Sequence, residues 1–131
     1  MSEKATLTDT QENKIKDEFN ITGALEGANA AAKLARIRTI YKNNSQKEGY
    51  TYSDAAKQAG FDNASTLLDA LVGALSGGDH AKEVELRTEY NGKSFNELLA
   101  IIQTMNSTGL FSGLSSNYRE DAKAKANSND Y

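Results

Sequence analysis

The stretch from residue 49 to residue 78, GYTYSDAAKQAGFDNASTLLDALVGALSGG, limits the possible folds of this chain more than any other. Ser53 is a suitable N-cap for a short helix, because its hydroxyl can accept a hydrogen bond from a free backbone amide in the first turn. Gly60 can adopt the positive φ of a sharp turn, and Asp62 or Asn63 can then cap a second helix. The stretch therefore predicts two helices joined by a tight corner, and we expect this corner to lie at the centre of the fold.

The second helix of the corner has a broad apolar face and ends at the Gly77-Gly78 pair, since glycine in the left-handed conformation commonly ends a helix. Its apolar residues recur at helical spacing, namely Leu67, Leu68, Leu71, Val72 and Leu75. Such a face must be covered by the flanking segments. We therefore expect Leu67, Leu71 and Leu75 to point into the molecule.

Composition favours helices over sheets in the rest of the chain. There is no proline, and valine occurs only at positions 72 and 84, whereas alanine, leucine, lysine, glutamate and glutamine dominate the periodic segments. Capping boxes at Thr8 and Ser94, and a cap at Thr22, mark the starts of further helices. Together with an exposed last helix, these signals predict helices over residues 9–19, 24–43, 95–105 and 118–126.

Two segments are harder to interpret. Residues 79–90 alternate like a strand and also fit i, i+4 helix spacing, and their charge density together with Asp79 as a cap favours a helix. Residues 106–116 (NSTGLFSGLSS) are rich in glycine and serine and predict a flexible connector.

The 131 residues are expected to form a single all-α domain, a bundle of five to seven helices around the helix-turn-helix-like corner. Residues 1–6 and 127–131 are expected to be flexible ends. The predicted core joins three groups of apolar side chains: Leu34, Ile37, Ile40 and Tyr41; Phe61, Leu67, Leu71 and Leu75; and Leu98, Leu99 and Ile102.

The residue inventory argues against catalysis, cofactors and metals. There is no cysteine and only one histidine, and no glycine-rich phosphate loop, zinc spacing or calcium loop is present. The sole acid/base candidate, Asp79-His80, lacks a nucleophile, and adjacent helical residues point apart. No 18-residue apolar run and no apolar leader segment occur, so we expect a soluble protein that is cytoplasmic or virion-internal.

Small residues are spaced for close helix contact. Gly23, Gly27, Ala31 and Ala35 fall four apart on the long helix, and a small-sided strip runs along the second helix of the corner. Two interpretations are open: the two strips pack together within one chain, or they meet a partner chain or a second copy. The predicted interaction residues are Gly27, Ala31, Ala35, Thr66, Ala70, Gly73 and Ala74.

The net charge of −3 is unevenly distributed, because residues 33–48 carry about +4 and the remainder about −7. The possible nucleic-acid contacts in this basic segment are Lys33, Arg36, Arg38 and Lys42, which could hold phosphates. The simpler interpretation is that these cations solvate an exposed helix face and favour the negative end of its dipole.

Residues 55–71 resemble an AraC-type helix-turn-helix, in the small Ala56, the Gly60-Phe61 turn, Ser65, and the apolar pair Leu67 and Leu71. The resemblance covers about 17 residues and implies that the second helix lies in a DNA major groove. However, the outward positions of that helix carry no arginine, lysine, glutamine or asparagine. Its single charged group there is an aspartate, which repels phosphate.

We therefore expect a non-catalytic protein–protein interaction or assembly module, with self-association as one possibility. Size and composition suggest a small phage or bacterial accessory protein. The alternative is a DNA-binding regulator that uses residues 53–75 as a helix-turn-helix. Protein partners or a second copy are favoured, nucleic acid is less favoured, and a membrane is not expected.

Overall fold

The computed structural model describes residues 21–118 and shows an all-α fold, with no strand in that range. The helices are α1 (Ile21–Asn44), α2 (Tyr52–Gln58), α3 (Ala64–Ser76), α4 (His80–Glu89), α5 (Phe95–Ser107) and α6 (residues 110–118). The predicted all-α bundle is confirmed. None of the described helices is long and apolar enough to cross a bilayer. The predicted helix over residues 9–19, nearly all of the one over 118–126 and both predicted flexible ends lie outside the described residues.

Helix α3 is the central element, because it packs against α1, α4 and α5. Leu67, Leu71 and Val72 are fully buried, as their spacing predicts, while Leu75 is only partly buried. The remaining core residues come from every other described helix and from the α2–α3 turn. Those with 5% exposure or less include Leu34, Ile37, Ala55, Ala56, Phe61, Leu86, Leu98, Leu99, Ile102 and Phe111.

The ends of α3 and the start of α5 follow the predicted local chemistry. Gly60 has φ 102°, and the side chain of Asn63 accepts a hydrogen bond from the Thr66 amide at 2.9 Å. Gly77 ends α3 in the left-handed conformation. At α5, Ser94 forms the predicted capping box with the acidic side chain three residues later.

Two predicted helix starts are wrong. Thr51, not Ser53, caps α2, because its hydroxyl accepts from the Asp54 amide while the Asp54 carboxylate accepts from the Thr51 amide. Thr22 lies inside α1 rather than at its cap, since the helix already includes Ile21.

The segment after α5 is also different from the predicted connector. Helix α5 continues to Ser107, and after a turn at Gly109 the chain is helical again from residue 110. Phe111 of this α6 helix is fully buried in the core. Residues 80–89 form a helix capped by Asp79, as the charge density predicts.

Candidate interaction surfaces

Most of the small residues predicted to mediate interactions meet within the chain, where α1 crosses α3. A Cβ placed on Gly27 would lie 3.0 Å from the carbonyl oxygen of Gly73 and 3.3 Å from the Cα of Gly77. Ala31 and Ala74 are fully buried. The intramolecular packing of the two strips, one of the two interpretations above, therefore accounts for the small size of these residues.

The edge of the same crossing opens into a groove that we call the α1–α3 groove, with a volume of about 590 Å³. Its floor consists of buried or half-buried apolar side chains: Ala30, Ala59, Phe61 and Ala70. Its rim carries exposed charges of both signs: Glu26, Lys33 and Asp69. Thr66 and Ala70 of the predicted strip line this groove, so part of the strip is accessible to a partner from outside.

The charges beside the groove form a small exposed network. Arg87 of α4 donates to Asp69 at 3.2 Å and lies 4.0 Å from Glu83. The side chains of Arg87 and Asp69 are 45% and 63% exposed, so this pair contributes little to stability. The pair does offset the negative charge of Asp69 at the rim of the groove. Glu26 and Lys33 on α1 are then the charged rim residues that have no ion-pair partner among the described residues.

Helix α3 is the second helix of the helix-turn-helix-like corner, and little of its surface is exposed. Because α1, α4 and α5 all pack on this helix, Ser65 and Asp69 are its exposed residues, and the others are buried or half-buried. A recognition helix needs a row of exposed side chains to reach base edges. The corner between α2 and α3 thus has the predicted turn and the predicted cap at the start of α3. However, other helices cover most of its second helix, which leaves no such row of exposed side chains.

The basic residues of α1 do not form one patch. Lys33 borders the α1–α3 groove, whereas Arg36 and Arg38 line a second depression, of about 400 Å³, between α1 and α6. We call this the α1–α6 cleft. Its other lining residues are Ala32, Ala35, Thr39, Asn106, Gly109, Ser112 and Ser115. Ala35 thus belongs to the cleft, and Lys42 is exposed and lines neither depression.

Beneath the α1–α6 cleft, Asn106 joins three helices. It is 4% exposed, and its side-chain amide donates to the Leu34 carbonyl at 2.9 Å and to the Tyr52 hydroxyl at 2.8 Å. Burial raises the pKa of Tyr52, while the hydrogen bond from Asn106 and the positive charge of Arg38 act in the opposite direction.

Sequence reasoning missed the serines of this cleft, Ser112 and Ser115, because it assigned residues 106–116 to a connector. Their three-residue spacing places them on one face only when the segment is helical. The buried aromatic Phe111 in this glycine- and serine-rich segment is the signal that could have indicated a packed helix.

Asp79 and His80, the predicted acid/base candidate, contact other groups instead of each other. The Asp79 carboxylate accepts hydrogen bonds from the amides of Ala81 and Lys82 at the start of α4. The imidazole of His80 is 86% exposed and lies 3.5 Å from Glu83. Within residues 21–118, no three His, Cys, Asp or Glu side chains are grouped as metal ligands would be.

Comparisons with protein-family models, with curated proteins and with solved structures return no match to this chain. Functional inference therefore depends on the geometry of the groove and the cleft.

Proposed function

We propose that this protein is a non-catalytic interaction module that assembles with a second copy of itself through the α1–α3 groove. The observation that carries the proposal is an apolar floor of small side chains beneath a rim with both signs of charge. Small floor residues such as Ala30 and Ala70 allow a helix of another chain to approach closely. Contact with this floor removes apolar surface from water, which is the main driving force of association.

A second copy fits the groove because the rim of α1 is complementary to itself. Glu26 and Lys33 are seven residues apart, so they lie on the same side of α1, about 10 Å apart along its axis. Two copies related by a two-fold axis, with their α1 helices antiparallel, bring Lys33 of one copy against Glu26 of the other, twice. A dimer of this kind pairs both exposed charges, which have no ion-pair partner among the described residues of one copy.

Light scattering after size-exclusion chromatography, over a concentration series, tests the assembly. We expect a dimer whose dissociation constant rises several-fold in Glu26→Lys and in Lys33→Glu, because each single change replaces two attractions with two repulsions. The double variant exchanges the charges and should recover dimerisation. Lys42→Glu is the matched control, since this residue is exposed on α1 but lies outside the groove.

The apolar floor is tested by Ala30→Lys, which places a charge in the groove and should abolish the dimer while leaving the helical signal unchanged. A protein that is monomeric at about 1 mM contradicts the proposal, because association weaker than that is not specific assembly. A dimer that is unaffected by both Ala30→Lys and the charge reversals contradicts the assignment of the groove.

The alternative proposal, a DNA-binding regulator, has thinner support. It requires residues 53–75 to dock on DNA, although Ser65 and Asp69 are the only exposed residues of α3. The basic side chains of α1 would have to supply sequence-independent phosphate contacts. Salt-dependent retention on duplex DNA is the appropriate test, and an absence of binding at low salt removes this alternative.

A further inference from the structure

The α1–α6 cleft places two arginines around a small floor. At about 100° per residue, Ala35 and Thr39 fall between Arg36 and Arg38 on the helical wheel of α1. All four residues line the cleft, so the side chains of Arg36 and Arg38 leave α1 on either side of Ala35 and Thr39. This arrangement suits a compact anion, because guanidinium groups can donate paired hydrogen bonds to phosphate oxygens.

Neither arginine is neutralised by the described part of the chain. None of the described residues that line the cleft is a carboxylate, and the ion pairs within residues 21–118 involve His80, Lys82 and Arg87 as the basic partners. Arg87 shows the contrast, since it contacts Asp69 and approaches Glu83. The cleft is therefore a local concentration of positive charge on a chain with a net charge of −3.

Hydroxyl groups from both α1 and α6 line the cleft. Ser112 and Ser115 lie three residues apart on α6, and Thr39 lies between the arginines on α1. The hydroxyls of the nearby Ser107 and Thr108 donate to carbonyls of their own helix, whereas those of Ser112, Ser115 and Thr39 make no hydrogen bond within the described residues. The positive end of α6, beside Gly109, adds to the same potential.

The size of the cleft favours a small ligand over a polymer. A volume of about 400 Å³ accommodates a phosphate group together with a small organic substituent. A nucleic acid strand needs a row of cations along its path, but Lys33 borders the other groove and Lys42 lines neither depression.

We infer that the α1–α6 cleft binds a small phosphate-bearing ligand, with Arg36 and Arg38 holding the phosphate and the hydroxyls of Ser112 and Ser115 completing its contacts. The site is separate from the α1–α3 groove, so this inference does not depend on self-association.

Titration of the full-length protein at constant ionic strength, followed by ¹H–¹⁵N NMR, tests the inference with inorganic phosphate and with phenyl phosphate as probes. We expect saturable shifts at the amides of Ser112 and Ser115 and at the arginine Nε groups. The double variant Arg36→Gln/Arg38→Gln should weaken binding about tenfold or more, because charge-assisted hydrogen bonds are lost. Lys42→Gln, which removes one charge from the same helix, should change affinity by less than about twofold.

The two probes also distinguish the source of the phosphate. Equal affinity identifies the free ion as the ligand, and tighter binding of phenyl phosphate identifies a phosphomonoester; both outcomes support the site. The inference is overturned by an absence of saturable shifts, by shifts that do not include α6, or by equal losses in the arginine and lysine variants. It is also overturned if a DNA oligonucleotide binds the cleft while neither small phosphate does.

Discussion

Gly27 and Gly73 lie at the same helix crossing, yet replacing each with alanine should change stability in opposite directions. A Cβ on Gly27 would lie 3.0 Å from the Gly73 oxygen, 3.2 Å from Cε2 of Tyr118 and 3.3 Å from the Gly77 Cα. Two of these three atoms belong to the backbone, so α1 and α3 must move apart to admit the methyl group. A Cβ on Gly73, by contrast, meets only Cβ of Ala30, at an ordinary 3.7 Å.

The magnitudes follow from two opposing effects. Overpacking of a tight contact costs about 1–3 kcal/mol, and alanine in place of glycine inside a helix returns about 0.5–1 kcal/mol. Gly27→Ala should therefore lower the free energy of unfolding by about 1 kcal/mol, and by up to about 2.5 kcal/mol if the helices cannot adjust. Gly73→Ala incurs no overpacking and should raise it by about 0.5–1 kcal/mol.

Urea and thermal unfolding followed by far-UV circular dichroism measure this difference. At about 5 °C per kcal/mol, the midpoints of the two variants should be separated by about 10 °C, on opposite sides of the wild-type value. If Gly27→Ala is stabilised to the same extent as Gly73→Ala, α1 and α3 do not cross as closely as described, and the floor of the α1–α3 groove is not where we place it.

Two further predictions concern buried hydroxyls and pH. Tyr50→Phe should be neutral or stabilising by up to about 1 kcal/mol, because the buried Tyr50 hydroxyl has no hydrogen-bond partner among the described residues. Tyr52→Phe, its matched control, should lose about 1–3 kcal/mol in the same urea assay, because Asn106 then loses a buried acceptor. The hydrogen bond from the Ser94 amide lowers the pKa of Glu97 in the folded protein. Its contribution to stability is therefore complete above the ordinary glutamate pKa and is lost as the pH falls through the folded value. Glu97→Gln should flatten the dependence of the urea midpoint on pH in that acidic range, and an unchanged slope would contradict this assignment.

The ends of several helices could be predicted because their signals lie within a few residues of one another. Gly60 and Asn63 mark the corner through a positive φ and a cap, both of which are local chemistry. The wrong prediction of Ser53 as the cap of α2 also concerns a local signal. Thr51 and Ser53 are both suitable caps, but only Thr51 has an acidic residue, Asp54, three positions later to complete the capping box.

The groove and the cleft were not predictable to the same extent, because each depends on contacts between segments distant in sequence. Residues 106–116 contain glycines and serines that disfavour an isolated helix, and short helices gain most of their stability from tertiary packing. Burial of Phe111 supplies that packing and orders α6. Once α6 is helical, Ser112 and Ser115 line the same cleft as Arg36 and Arg38, which no local pattern indicates.

Helix α1 borders both depressions. Lys33 and Arg36 are only three residues apart, yet one borders the α1–α3 groove and the other the α1–α6 cleft. The charge of the basic segment is therefore divided between two surfaces, and Gly27 lies at the close contact of α1 with α3. Tyr118 of α6 connects α1 to α3, since its ring lies against Gly27 of α1 and its hydroxyl donates to the Ala74 carbonyl of α3 at 3.1 Å. Basic residues that lie close together in the sequence thus border two separate depressions in the fold.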